Sequence, residues 1–176
     1  ELCTGLFFYG GFGTIIYMHS MQYTGKKVML VPLSERFRED IFAATTPAVT
    51  RFMTWDSPTD ISVTDTFIKK AKESIEKGEQ YGFVILDIDS EEFIGWCNAF
   101  KRDVSKDKHE IGIWLKESAW GKGYAKDALQ TFFTFLRSST PITQLSYRAH
   151  VDNIGSQKLC ESLGGVYIGI STLKHK

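Results

Sequence analysis

Apolar residues along this chain fall into short continuous runs and helically spaced stripes, and the change between the two marks out its elements. Residues 28–33, Val-Met-Leu-Val-Pro-Leu, form a brief apolar run of strand type. Ser34 follows at a helix N-cap position, with Glu35, Glu39 and Asp40 toward the positive end of a helix. Over residues 59–77, Ile61, Phe67, Ile68, Ala71 and Ile75 fall roughly on one helical face, and Gly78 stops the pattern. Residues 81–86, 92–100 and 110–115 then read as strands, with Gly95 at a bulge position. Their connections, the polar turn 87–90 and the charged loop 101–108, are too short for crossovers, which predicts an antiparallel meander.

Beyond residue 118 the period changes. Ala125, Leu129, Phe132, Phe133 and Leu136 make the stripe of a helix packed on a sheet, ended by residues 138–141. Residues 144–151 are a further strand. Asp152 or Asn153 caps a short helix that stops at Gly164 and Gly165, and residues 166–170 are a last strand. The sequence shows no internal repeat and no low-complexity linker. The pattern predicts an α/β (α+β) domain with a mixed, mostly antiparallel sheet flanked by helices.

At 176 residues the chain has the length of one domain, read as 1–176, and its 43% hydrophobic share is ample for a packed core. Lys plus Arg equals Asp plus Glu at 21 each, so no excess charge points to a nucleic-acid or membrane surface. No apolar run approaches the roughly 18 residues of a membrane span. Cys3, Cys97 and Cys160 lack metal-type spacing and read as free thiols of a reducing compartment, which predicts a cytoplasmic protein. His19, His109, His150 and His175 are scattered, so no metal site is expected. A monomer or a homodimer is expected.

The informative stretch for chemistry is strand 110–115, a loop, then Trp120, Gly121, Lys122, Gly123, Tyr124 and Ala125 at a helix start. The first turn of a helix offers unpaired N–H groups and the positive end of the macrodipole, and glycines let an anion approach them. A diphosphate fits that description. A dinucleotide loop would need a third glycine where Lys126 stands, and a P-loop's G-x-x-x-x-G-K-[ST] is absent. The loop resembles the acyl-CoA loop of GNAT acetyltransferases, Q/R-x-x-G-x-G/A, with Trp120 in place of Gln or Arg. Val151, Asp152, Asn153, Ile154, Gly155 and Ser156, followed by Leu159, Cys160, Glu161, Ser162, Leu163, Gly164 and Gly165, resemble that family's N-x-x-S-x-x-L-Y-E-x-x-G-F signature. The two motifs stand in the family's order, and the likeness runs over about residues 21–170. Within the family, Glu110–Leu115 and the Trp-Gly-Lys-Gly-Tyr-Ala string are most similar to the ribosomal-protein N-terminal acetyltransferases (the RimJ/RimL-like group).

This resemblance implies a GNAT fold and direct acetyl transfer from acetyl-CoA to an amine in a ternary complex. A protein or peptide N-terminal α-amine is the expected acceptor. It implies that Glu110 is the candidate base, acting directly or through water, and that backbone groups of Ile113, Trp114 and Leu115 hold the pantetheine arm. Residues 120–125 take the diphosphate, with Trp120 contributing backbone alone. Asn153 bonds the pantetheine or caps its helix. Cys160 stands where many members carry the Tyr that protonates the leaving thiolate, and Ser156 is the alternative acid, as in the ribosomal-type group. An acceptor that is a small-molecule amine, and a catalytically silent CoA-binding or sensing module, are the rival readings. Acceptor specificity is expected in loops 43–60 and 101–108.

The N-terminal twenty residues fit neither motif. They lack the basic start of a signal peptide. Residues 6–9 and 14–17 read as strands about a Gly-Gly-Phe-Gly turn. Residues 14–17 resemble the family's last strand, so a circularly permuted order places them between strands 144–151 and 166–170. The other reading is an additional N-terminal hairpin.

Overall fold

A computed structural model describes residues 1–8, 21–101 and 109–171. In chain order the strands are β1 (Leu2–Phe8), β2 (Tyr23–Thr24), β3 (Val28–Pro32), β4 (Gln80–Asp87), β5 (Phe93–Lys101), β6 (His109–Leu115), β7 (Gln144–His150) and β8 (Val166–Ser171). The α-helices are α1 (Arg38–Ala44), α2 (Pro47–Thr50), α3 (Ile61–Glu76), α4 (Tyr124–Ser139) and α5 (Ile154–Ser162). Single 3-10 turns cover Glu35–Phe37 and Glu117–Ala119.

The strands form one sheet in the order β2-β3-β4-β5-β6-β7-β1-β8. Every neighbouring pair is antiparallel except β6 and β7, which are parallel. The meander of β4, β5 and β6 follows the sequence reading. Its bulge lies opposite the Ile85–Leu86 step, where Ile85 pairs Gly95 and Leu86 pairs Phe93. Gly95 is required there: a Cβ would lie 2.9 Å from the Cα of Leu115 and closer still to the Trp114 carbonyl.

Successive side chains of a strand leave on opposite faces, and here both faces are covered. Phe83 and Ile85 pack with Val28, Leu30, Leu129, Phe132 and Phe135 on the α4 face. Val84 and Leu86 pack with Phe37, Ile41, Ile68 and Trp96 on the face of α1 and α3. The α4 stripe becomes an aromatic cluster in which Phe83 meets Phe135 edge-on at 5.0 Å between centroids. Asp60, not Ser34, caps a helix through its side chain, accepting from the Ser62 N–H at 2.8 Å. The Ser34 side chain makes no such bond, because only a 3-10 turn follows it. The two-residue β2 and the one-turn α2 carry too few residues to show a period.

The N-terminal reading needs a correction. The place between β7 and β8 is filled by Leu2–Phe8, antiparallel to both, and not by residues 14–17. Residues 9–20, which include those four, lie outside the described residues. The strand begins before residue 6 although Gly5 is a poor strand former. Tertiary packing explains Gly5: a Cβ there would sit 2.5 Å from Cys160 Sγ on α5. Since β1 is the strand that joins β7 to β8 among the described residues, deleting residues 1–8 is expected to give insoluble or unfolded protein. A soluble fragment with a cooperative thermal transition would contradict this.

Candidate functional site

Among the described residues, the sheet opens at the parallel pair. β6 and β7 pair only through His109 with Leu145, Glu110 with Ser146 and Ile111 with Tyr147. The Ser146 hydroxyl donates to the His109 carbonyl at 3.3 Å and helps close that end. Beyond it, residues 112–115 of β6 and 148–150 of β7 no longer pair with each other. Each strand keeps its other neighbour, β5 for β6 and β1 for β7. The result is a wedge-shaped gap between two strands that are otherwise fixed.

A cavity of about 500 Å³ runs into this gap. Alternation along the strands assigns its walls to the two faces of the sheet. Asn98, Glu110, Gly112, Trp114, Arg148 and His150 belong to the α3 face, while Ile113, Tyr147, Asn153 and Ser156 belong to the α5 face. The opening thus passes through the sheet. Gly112 lies at its edge, where a Cβ would come within 2.5 Å of Asn98 Oδ1 and turn that amide away.

Glu110 sits at the closed end. Its side chain is buried at 8% exposure, and Oε2 is 3.0 Å from Arg148 Nε. It is therefore a carboxylate aimed into the cleft and ion-paired across the gap, not a surface group at a strand end. Residues 45, 52–56 and 58 form much of the outer wall, with Phe67 and Lys70 of α3. Phe52 stacks on His150 at 5.3 Å, bridging that wall to β7. His150 Nδ1 accepts from the Asp152 N–H at 3.2 Å. Part of loop 43–60 accordingly lines the cleft; residues 102–108 of the second loop lie outside the described residues.

Two helices follow the strands that bound the gap, α5 after β7 and α4 after β6. Asn153 caps α5 by accepting from the Ser156 N–H at 3.1 Å. Ser156 faces the cleft with its hydroxyl 2.6 Å from that of Tyr147. Tyr147 was missed in the sequence, where its place in an alternating strand gave only a core signal. Cys160 is not part of the cleft lining. It is buried against Gly5, and burial pushes its thiol up to about 11, so packing on β1 accounts for a small residue there.

α4 begins beyond residue 115, after the Glu117–Ala119 turn. Gly121 and Gly123 both adopt positive φ, +71° and +84°, and Gly123 is the N-cap with no side-chain cap bond. Among the described residues nothing lies within 4 Å of a Cβ built on Gly121, and only Lys27 Nζ, at 3.8 Å, approaches one on Gly123. The first-turn N–H groups of α4 and this open space suit an anion. The loop is held from several sides. Trp120, half exposed at 49%, donates its indole N–H to the Leu115 carbonyl at 2.9 Å. Lys27 Nζ donates to the Lys122 carbonyl at 2.9 Å, and the Tyr124 hydroxyl donates to Asp87. That bond holds the Asp87 carboxyl down at about 2. One turn into the helix, Asp127 accepts from the backbone N–H groups of Lys26, Lys27 and Val28 at 3.1, 2.7 and 3.2 Å.

Of the residues singled out in the sequence, Glu110, Ile113, Trp114, Asn153 and Ser156 meet in the cleft. Leu115 and residues 120–125 lie apart from its lining, and the Leu115 carbonyl is occupied by Trp120.

Residues 27–166 match the model of the acetyltransferase (GNAT) domain. The chain belongs to the GNAT acetyltransferase family. The match spans both helix N-termini, the parallel pair and the gap between them. GNAT enzymes of known structure share the fold at low identity. One is a RimL structure, a ribosomal L7/L12 alpha-N-protein acetyltransferase in complex with coenzyme A: 17% identical, TM-score 0.71, covering 81% of this chain and 82% of that one. Another is the microcin C7 self-immunity acetyltransferase MccE in complex with acetyl-CoA and AMP: 18% identical, TM-score 0.70, covering 79% and 78%. A sequence relative, named "Uncharacterized N-acetyltransferase p20" from Bacillus licheniformis, is 29% identical over 117 residues. The alignment spans 66% of this chain and 66% of that relative's length. Acetyl-CoA is the co-substrate of such GNAT acetyltransferases. Among the described residues no group of side chains could hold a metal ion, and no helix is long and apolar enough to cross a membrane.

Two substitutions test how the loop is built. Asp127→Ala strands three partly or fully buried N–H groups and should cost about 3 kcal/mol of unfolding free energy in urea titration. Gly123→Val forces a β-branched residue into the left-handed region, worth roughly 1–2 kcal/mol. About tenfold weaker CoA binding by calorimetry is expected, together with a fall of a few degrees in melting temperature.

Proposed function

We propose that this protein transfers an acetyl group from acetyl-CoA to a primary amine, with the N-terminal α-amine of a protein or peptide as acceptor. The observation that carries the reading is the gap between β6 and β7, open to both faces of the sheet with a buried carboxylate at its closed end. The pantetheine arm enters the gap as an added strand beside residues 113–115, its diphosphate on the N–H groups of residues 121–125. Asn153 caps α5 and so presents Ser156 toward the thioester sulfur. The acceptor comes from the α3 face, past loop 43–60.

Chemically, the amine must be neutral, because an ammonium has no lone pair to attack with. Carboxylates are weak bases, so Glu110 serves an acceptor that is already partly neutral near pH 7. An α-amine, with an ordinary pKa of about 7.7–8.0, meets that condition far better than a lysine at about 10.4. The RimL neighbour, an alpha-N-protein acetyltransferase, agrees with this choice. As the amine nitrogen attacks the carbonyl carbon, Glu110 takes its proton directly or through one water. The C–S bond breaks with its electron pair going to sulfur, and Ser156 donates a hydrogen bond to the departing thiolate. Placed beyond the cleft against β1, Cys160 takes no part in these steps.

The experiment is acetyl-CoA consumption with paired peptides, one with a free N-terminus and no lysine, the other N-terminally blocked and containing lysine. Activity is expected on the first. Preference for the blocked peptide, or for small amines alone, would overturn the acceptor assignment. Glu110→Gln should lower kcat by roughly 10²-fold or more, with CoA affinity changed less than twofold.

A further inference from the structure

The pair formed by Tyr147 and Ser156 lies at the cleft wall. We propose that Tyr147 is a positioning residue for the leaving-group step: its hydroxyl donates to Ser156 Oγ and so aims the serine's own proton at the CoA sulfur. This rests on the acetyl-transfer reading above.

The geometry supplies the argument. Tyr147 is 4% exposed, its ring packed in the core of the α4 face and its hydroxyl 2.6 Å from Ser156 Oγ. One proton lies between two hydroxyl oxygens, so one of them is the donor. A phenol is the stronger acid and the better donor, which makes the serine oxygen the acceptor. Ser156 is held from a second side, its N–H committed to Asn153 Oδ1 at 3.1 Å. With its backbone fixed and its oxygen engaged by Tyr147, the serine has one proton left to donate, and its side chain lines the gap.

Tyr147 keeps its own proton through this step. Burial pushes the phenol up to about 12, above an ordinary thiol, so net transfer from Tyr147 to the thiolate runs uphill. The balance of the step is therefore simple. The amine proton goes to Glu110 and on to solvent. The sulfur leaves with its electron pair, stabilised by the Ser156 hydrogen bond, and takes a proton from water as CoA is released. Tyr147 polarises Ser156 throughout without changing charge. In this chain the phenol that many GNAT members carry at position 160 has a counterpart in the strand beside it, acting through serine.

The test reads the thiol directly and needs no acceptor. CoA bound to the wild type, Tyr147→Phe, Ser156→Ala and the double variant is titrated with pH by ultraviolet thiolate absorbance, with desulfo-CoA complexes as blanks. The bound thiol should be about tenfold more acidic in the wild type than in either single variant. The double variant should match Ser156→Ala, since the tyrosine acts only through the serine. Tyr147→Phe keeps the ring, and melting curves check its packing. If the Tyr147→Phe variant titrates like the wild type, or if that change still shifts the thiol when combined with Ser156→Ala, the proposal falls while acetyl transfer stands. If the wild type binds no CoA, both fall. In turnover, kcat should drop about tenfold in Tyr147→Phe with KM for acetyl-CoA unchanged; equal losses in both would reduce Tyr147 to a packing residue.

Discussion

Three residue pairs hold β6 and β7 together, and the chemistry depends on there being no more than three. In a parallel pair both strands run away from the closed end in the same direction, so when they diverge both expose their C-terminal halves to the same gap. Each stays fixed because its other edge is fully paired, to β5 on one side and β1 on the other. The gap is therefore preorganised, and a ligand arm can add to a strand edge without the ordering cost of building it. The helices that follow the two strands begin beyond the strands' C-terminal ends, and their first-turn N–H groups suit an anionic cofactor.

A loop that offers backbone N–H groups to an anion cannot stabilise itself by the usual side-chain caps. Here the cost is met from outside the loop. Asp127 binds the three N–H groups at residues 26–28, Tyr124 reaches Asp87, Lys27 reaches the Lys122 carbonyl and Trp120 reaches the Leu115 carbonyl. Gly25 belongs to the same arrangement, since a Cβ there would fall 2.5 Å from Asp127 Oδ2. The β2–β3 turn thus serves as a mould for the start of α4. These contacts leave the glycines' outward side open, which is the side a diphosphate would use.

The N-terminal strand shows how a packing constraint and a catalytic one trade places. β1 separates β7 from β8 and lies beneath α5, where Gly5 and Cys160 interlock. A larger residue at 160 would have to displace that strand or turn away from it. The function that a tyrosine there performs in many GNAT members passes, in our reading, to Ser156 supported by Tyr147. Both of these sit on elements fixed for other reasons: a strand in the core and the capped first turn of a helix.

Periodicity alone was enough for most of the architecture. The meander, the amphipathic α3 and α4, and the glycine stops at Gly78 and Gly164 are local matters, decided within a few residues by side-chain spacing and backbone freedom. The Gly loop and the Asn153–Ser156 turn were legible for the same reason, as helix starts with a chemical signature, and with them the family. Other features belong to the tertiary structure because they depend on residues far apart in the chain. The ion pair of Glu110 with Arg148 spans the gap between strands that meet only after α4 intervenes. Tyr147 read as an ordinary core residue until α5 folded back and placed Ser156 against its hydroxyl. Residues 2–5, with a glycine among them, gave no strand signal, yet β1 lies inside the sheet, because the slot between β7 and β8 and the Cys160 side chain select it. Local spacing encodes elements; which strand edges remain unpaired, and which hydroxyls face each other, is settled only when those elements compete for the same neighbours.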